Sequence, residues 1–164
     1  MRILEAFMHE GFFLVKFMQI ITKKSDNLNG TITIPGSKSY TIRGLMLALM
    51  AQGSSRLTNA LDCADTRAAM GICTALGARI REKNIAGGLE LEIESSGLPL
   101  PTNVTEIFSG NSGITTTFIL PILGMRKNYK QKITLKCGEQ MMQRPLSPII
   151  EALNLLGMQA KSMN

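Results

Sequence analysis

The sequence predicts a mixed α/β (α+β) fold. Three patterns point to it. Stretches with apolar residues at helical spacing run up to a glycine. Between them lie stretches that are β-branched or strictly alternating. The tripeptide Leu76-Gly77-Ala78 returns as Leu156-Gly157-Met158, 80 residues further on. Each closes a second helix, which describes a repeated β-α-β-α-β-β unit, present about one and two-thirds times.

Residues 18–23 read as a short strand, and Ser25 to Gly30 has turn composition. Thr31-Ile32-Thr33-Ile34 is β-branched throughout and reads as a strand that Pro35-Gly36 stops. A helix is predicted over 39–52, with Ile42, Leu45, Met46 and Leu49 on one face and Gly53 as its stop. Ser55 to Asn59 is a strand. Ala64 to Leu76 is a helix with Asp65 in its first turn, where a negative charge suits the helix dipole. Residues 79–83 and 90–94 form a strand pair turning at Ala86-Gly87-Gly88, with Leu91 and Ile93 on one face and Glu90, Glu92 and Glu94 on the other. Beyond Pro99-Leu100-Pro101 come a strand over 105–108, the turn Gly110-Asn111-Ser112-Gly113, a helix to about Leu123 and a strand over 132–136. A last helix follows, with Ser147 as N-cap and Pro148 at its first position. Residues 1–17 are expected to be an extension. Residues 18–30 are expected to be a strand and hinge, and 31–164 an incomplete domain with units at 31–98 and 99–164.

Composition narrows the function classes. Apolar residues make up 45% of the 164 and charged residues 18%, which is globular rather than disordered. Aromatic content is 5% with no Trp, so Leu, Ile, Met and Ala must build the core. The formal charge of +6 suits an anionic ligand. No Lys/Arg block exceeds two residues and no aromatics interleave with basic residues, so the pattern of a nucleic-acid surface is missing. Cys63, Cys73 and Cys137 form no C-x-x-C pair, and His9 is the single histidine. This excludes a zinc site, a disulfide framework and a histidine-based triad, and a reducing cytoplasm is the expected setting. Glu5, His9, Glu10 and Lys16 interrupt the apolar N-terminal stretch, unlike a signal peptide.

Three segments carry chemistry. In Gly36-Ser37-Lys38-Ser39-Tyr40-Thr41-Ile42-Arg43, a glycine turn opens a helix whose unpaired N–H groups favour an anion. Lys38 adds a point charge, and Arg43 adds a fork that fits carboxylate or phosphate. Ser39 and Arg43, four apart, share a helix face. The spacing is not that of a Walker A loop, because Ser37 separates Gly36 from Lys38. Gly110 to Gly113 is a second glycine turn before a helix, and such turns let backbone approach a ligand closely. The third segment runs from Cys137-Gly138 to Arg144-Pro145. Each also has a plain reading: solvated charges at a helix start, an ordinary connection, a surface arginine. Asp62 and Asp65 read as a turn residue and a helix-start charge.

Together these segments resemble the EPSP synthase (3-phosphoshikimate 1-carboxyvinyltransferase) family. Pro35 to Arg43 resembles its P-G-S-K-S-x-x-x-R motif. Leu57 to Leu61, Asp65-Thr66 and Ala75 to Ala78 look like the next stretch. Gly110 to Gly113 resembles the G-N-A/S-G turn, and Arg144-Pro145 matches the family's R-P. The resemblance implies that Lys38, Ser39 and Arg43 hold shikimate 3-phosphate, with Lys38 also reaching phosphoenolpyruvate. It places Asn111 and Gly113 on the phosphoenolpyruvate side. It implies transfer of the enolpyruvyl group to the 5-hydroxyl of shikimate 3-phosphate with release of phosphate, without metal or other cofactor. No catalytic residue is identifiable in this chain by that comparison. The sibling UDP-N-acetylglucosamine enolpyruvyl transferases carry Lys-Asn where this chain has Lys38-Ser39, so they fit less well.

Three departures bear on activity. Thr117 stands where the family carries an arginine after the second glycine turn. Gln140 stands where it carries the arginine four residues before its R-P arginine. The resemblance also ends before the family's third unit and second domain. A weakly active or inactive homologue, a piece completed by another polypeptide or by self-association, and a non-catalytic anion-binding module are the three readings that follow.

Overall fold

The computed structural model describes residues 21, 23, 24 and 26–163. By its contacts the chain forms two units, residues 1–32 and 33–164. In the first, the described residues form no helix or strand, and Lys24 pairs with Asp26 at 2.8 Å in solvent. The extension over 1–17 lies outside the described residues, as does most of the strand expected over 18–23, of which Ile21 and Lys23 are not in a strand.

The strand expected at 31–34 is not formed. Those four residues are exposed and belong to no ladder among the described residues. β-branching favours a pleated surface only where a neighbour pairs with it. The regular structure starts at α1 (Lys38–Met50) and continues as β1 (Gln52–Ala60), α2 (Ala64–Ala75), β2 (Arg79–Ile85) and β3 (Gly88–Ser96). β3 lies between β1 and β2 in an antiparallel sheet. The β2–β3 hairpin pairs Ile85 with Gly88 across a two-residue turn whose Gly87 has φ +88°. Positive φ at that position suits a glycine, which has no Cβ to strain. Leu91 and Ile93 are fully buried, as their alternation with glutamates predicts.

Next come β4 (Glu106–Phe108), α3 (Gly113–Gly124), β5 (Thr134–Lys136), the short α4 (Glu139–Met142) and α5 (Ser147–Leu155). β4 and β5 pair in parallel. α4 was not anticipated. Leu146, not Ser147, is the N-cap of α5, which moves Ser147 and Pro148 one place into the helix. Pro148 thus stays in the first turn, where a missing N–H costs no ladder bond.

One core joins α1, α2, β3 and α3. Ile42, Leu45 and Leu49 of α1 share this core with Ile72 of α2, Leu76 that caps α2, Leu91 and Ile93 of β3, and Ile119 of α3. Among the described residues no aromatic is fully buried, in line with the composition. Truncating any of these aliphatic residues to Ala would cost about 2–5 kcal/mol. No helix among the described residues is long and apolar enough to cross a membrane.

Candidate functional site

Two helix N-termini face a common cleft. α1 is opened by Ser37, whose side chain accepts from the Tyr40 N–H at 3.4 Å. Thr41 donates its hydroxyl to the Ser37 carbonyl at 2.9 Å and accepts from the Leu61 N–H at 3.0 Å. The turn is thereby tied to the end of β1. Gly36 makes that closeness possible: a Cβ there would overlap the Asn59 carbonyl oxygen and lie 2.8 Å from the Leu61 nitrogen.

α3 is opened by Ser112, which is buried and accepts from the Thr115 N–H at 3.3 Å. Around it the buried hydroxyls pair with one another, Ser112 with Thr115 and Ser109 with Thr116, each at 2.8 Å. Thr116 also donates to the Ser112 carbonyl at 2.9 Å. Buried hydroxyls stay in place only when so satisfied. The network fixes the Gly110–Gly113 turn, where Gly110 takes φ +59°.

The segment from Gly138 to Arg144 docks across this turn. The Gly138 N–H donates to the Gly110 carbonyl at 2.8 Å. The Asn111 side chain lies where a Cβ on Gly138 would sit, and the Arg144 guanidinium lies 2.7 Å from where a Cβ on Gly113 would be. Each turn has a glycine where the other presents a side chain.

The cleft so formed encloses about 480 Å³. Its charged lining residues are Lys38, Asp65 and Arg144; Asn111, Gly113, Thr117 and Phe118 are also in its wall. Lys38 Nζ is 2.7 Å from Asp65 Oδ2. The hydrogen bond to Asp65 and then its charge hold the Lys38 ammonium above its ordinary pKa, against some desolvation and the repulsion of Arg144. Asp62, in contrast, faces Arg67, whose hydrogen bond holds that carboxyl below the usual carboxylate range. Cys73 is buried in the core, and burial pushes its thiol up to about 12.

Of the residues singled out in the sequence, Lys38, Asn111, Gly113 and Thr117 come together in the cleft. Arg43 lies beside it, its guanidinium carbon 5.6 Å from the centroid of the Phe118 ring. Ser39 is half-buried on α1 and Gln140 is exposed on α4; neither is in the wall. The sequence did not single out Phe118, and it treated Asp65 as a helix-start charge and Arg144 as one end of a motif. Nothing local marks a contact with a partner dozens of residues away.

Helix N-termini, a lysine and an arginine are groups that can hold a phosphate or carboxylate, and here they share the cleft with Asp65. Comparison with known proteins names the lineage. Residues 22–164 match the family model of EPSP synthase (3-phosphoshikimate 1-carboxyvinyltransferase). The chain belongs to the EPSP synthase family. It is 35% identical over 145 residues to the 3-phosphoshikimate 1-carboxyvinyltransferase of Methanothermobacter thermautotrophicus, covering 88% of this chain and 33% of that protein. The corresponding protein of Hamiltonella defensa is 38% identical over 128 residues, covering 77% and 28%. The solved EPSP synthase from Acinetobacter baumannii superposes with a TM-score of 0.72 at 25% identity, over 82% of this chain and 30% of that one. The chain thus spans about a third of the length of these EPSP synthases.

Proposed function

We propose that this chain forms one wall of the substrate site of an enolpyruvyl transferase. In this reading shikimate 3-phosphate lies against Lys38, Ser39 and Arg43, and phosphoenolpyruvate lies against Lys38, Asn111 and Gly113. The enolpyruvyl group passes to the 5-hydroxyl of shikimate 3-phosphate, and phosphate is released. The supporting observation is the convergence of Lys38 with Asn111 and Gly113 on one cleft, from turns more than 70 residues apart.

A single open wall neither excludes water nor positions two reactants. Turnover is therefore assigned to this wall in company with the remainder of an EPSP synthase polypeptide, and the chain alone is expected to bind without turning over. The test is calorimetry with shikimate 3-phosphate beside a phosphate-release assay on the purified chain. Binding that disappears in Lys38→Ala, with little or no phosphate released, is the expected result. Absence of binding by the unmodified chain would sink the substrate assignment, and robust turnover would overturn the need for a second wall.

A further inference from the structure

Arg43 is engaged differently from Arg56, Arg67 and Arg126. Arg56 holds Glu90, Arg67 holds Asp62 and Glu82, and Arg126 donates to the carbonyls of Leu123, Tyr129 and Gln131. In each case N–H donors are spent on protein oxygens. The Lys38 ammonium is likewise taken up by Asp65. Arg43 makes no hydrogen bond or ion pair among the described residues. Its partner is the Phe118 ring, with the guanidinium carbon 5.6 Å from the centroid, within cation–π range.

The packing of α1 with α3 builds that contact. Ile42 and Ile119 are fully buried in the shared core. Arg43 and Phe118 are their chain neighbours and are exposed at its edge. Phe118 is in the cleft wall and Arg43 is not, so the ring is what ties the guanidinium to the cleft. A ring attracts a cation and offers no lone pair in exchange. The N–H fork of Arg43 therefore stays free for a two-pronged contact with phosphate or carboxylate. Without the ring, an exposed arginine spreads over many rotamers, and a ligand has to order it on binding. Thr117, beside Phe118 in the wall, is neutral, so α3 sets no like charge against Arg43 there.

We propose that Phe118 is a positioning residue for Arg43, its ring holding the guanidinium at the cleft margin with the N–H donors free for an anionic ligand. This rests on the reading of the cleft as a substrate wall, in which shikimate 3-phosphate lies against Arg43. It adds the residue that makes Arg43 ready for that ligand.

The first measurement needs no variant. In the unliganded full chain, the ring current of Phe118 should move the Arg43 δ-methylene protons upfield of an ordinary exposed arginine. An ordinary position would overturn the proposal. Calorimetry with shikimate 3-phosphate and, separately, phosphoenolpyruvate gives the second. Phe118→Leu is expected to weaken shikimate 3-phosphate binding about three- to tenfold, the range of an exposed to partly desolvated cation–π contact. Phosphoenolpyruvate binding should change little. Phe118→Tyr, which keeps the ring, should bind as the unmodified chain does. In the Arg43→Ala background, Phe118→Leu should add no further loss. Equal losses from Phe118→Leu with and without Arg43, or for both ligands, would make the ring a direct wall contact and overturn the proposal. Unchanged binding in Phe118→Leu, with binding still lost in Arg43→Ala, would overturn it and leave the substrate wall standing. If the unmodified chain binds neither ligand, the proposal and the substrate wall fall together.

Discussion

The turn before α1 is fixed backbone against backbone: Gly36 lies on Asn59 and Leu61, and its cap, Ser37, is exposed with a long 3.4 Å bond. The turn before α3 is fixed by side chains. Its cap is buried, four hydroxyls hydrogen-bond around it, and its glycine faces the movable end of Arg144. Both present a helix start to the same cleft. The difference lies in what can give. Backbone packed on backbone cannot yield without shifting β1, whereas a guanidinium can swing aside. The first turn thus tolerates change at its cap and not at its glycine, and the second does the reverse.

The largest expected effect tests the first half of that contrast. Gly36→Ala should destabilise the chain by about 3 kcal/mol in denaturant unfolding, because the added Cβ meets a carbonyl that has nowhere to go. A cost below about 1 kcal/mol would show that the turn is not locked. The caps should differ next. Ser112→Ala is expected to cost about 1–2 kcal/mol, since it removes a cap and strips a buried hydroxyl of its partner. Ser37→Ala should cost about 0.5 kcal/mol or less. Equal costs for the two would erase the comparison.

The smallest effect sharpens it at Lys38. Because the folded-state pKa is raised above the ordinary 10.5, the Lys38–Asp65 pair supports folding below that pH. Its contribution is lost as pH rises through the higher folded value. Carbon-13 titration of the Lys38 side chain should give a midpoint above 10.5, returning toward it in Asp65→Asn. A midpoint that Asp65→Asn does not move would sever the pair from the titration.

Much of the helical framework was legible because its signals are local. Gly77 and Gly157 end α2 and α5 in the same way: each takes positive φ, and the next residue donates five back, Ala78 to Cys73 at 2.9 Å and Met158 to Leu153 at 3.0 Å. Gly53 carried the same composition and a different role. α1 ends at Met50, Ala51 turns extended, and Gly53, with φ +105°, lies inside β1. A glycine marks unusual backbone without saying which kind. The strand expected at 31–34 failed for a related reason, since β-branching cannot report whether a partner strand lies alongside. The site divides likewise. Lys38, Asn111 and Gly113 follow from motifs on two turns, but their meeting in one cleft depends on contacts that no local pattern encodes. Asp65 on Lys38 and Arg144 on Gly113 are such contacts.

The crossed arrangement of Asn111 on Gly138 and Arg144 on Gly113 also limits how a sequence of this kind can drift. A side chain can appear at 138 only after the one at 111 has shortened or turned away, and one at 113 only as the Arg144 guanidinium swings aside. Each pair is therefore coupled, and a change neutral in one background is harmful in another. A single-site scan of this chain would score Gly138 as less tolerant than Gly113 and miss that the difference belongs to residues elsewhere, a short asparagine in one case and a long arginine in the other.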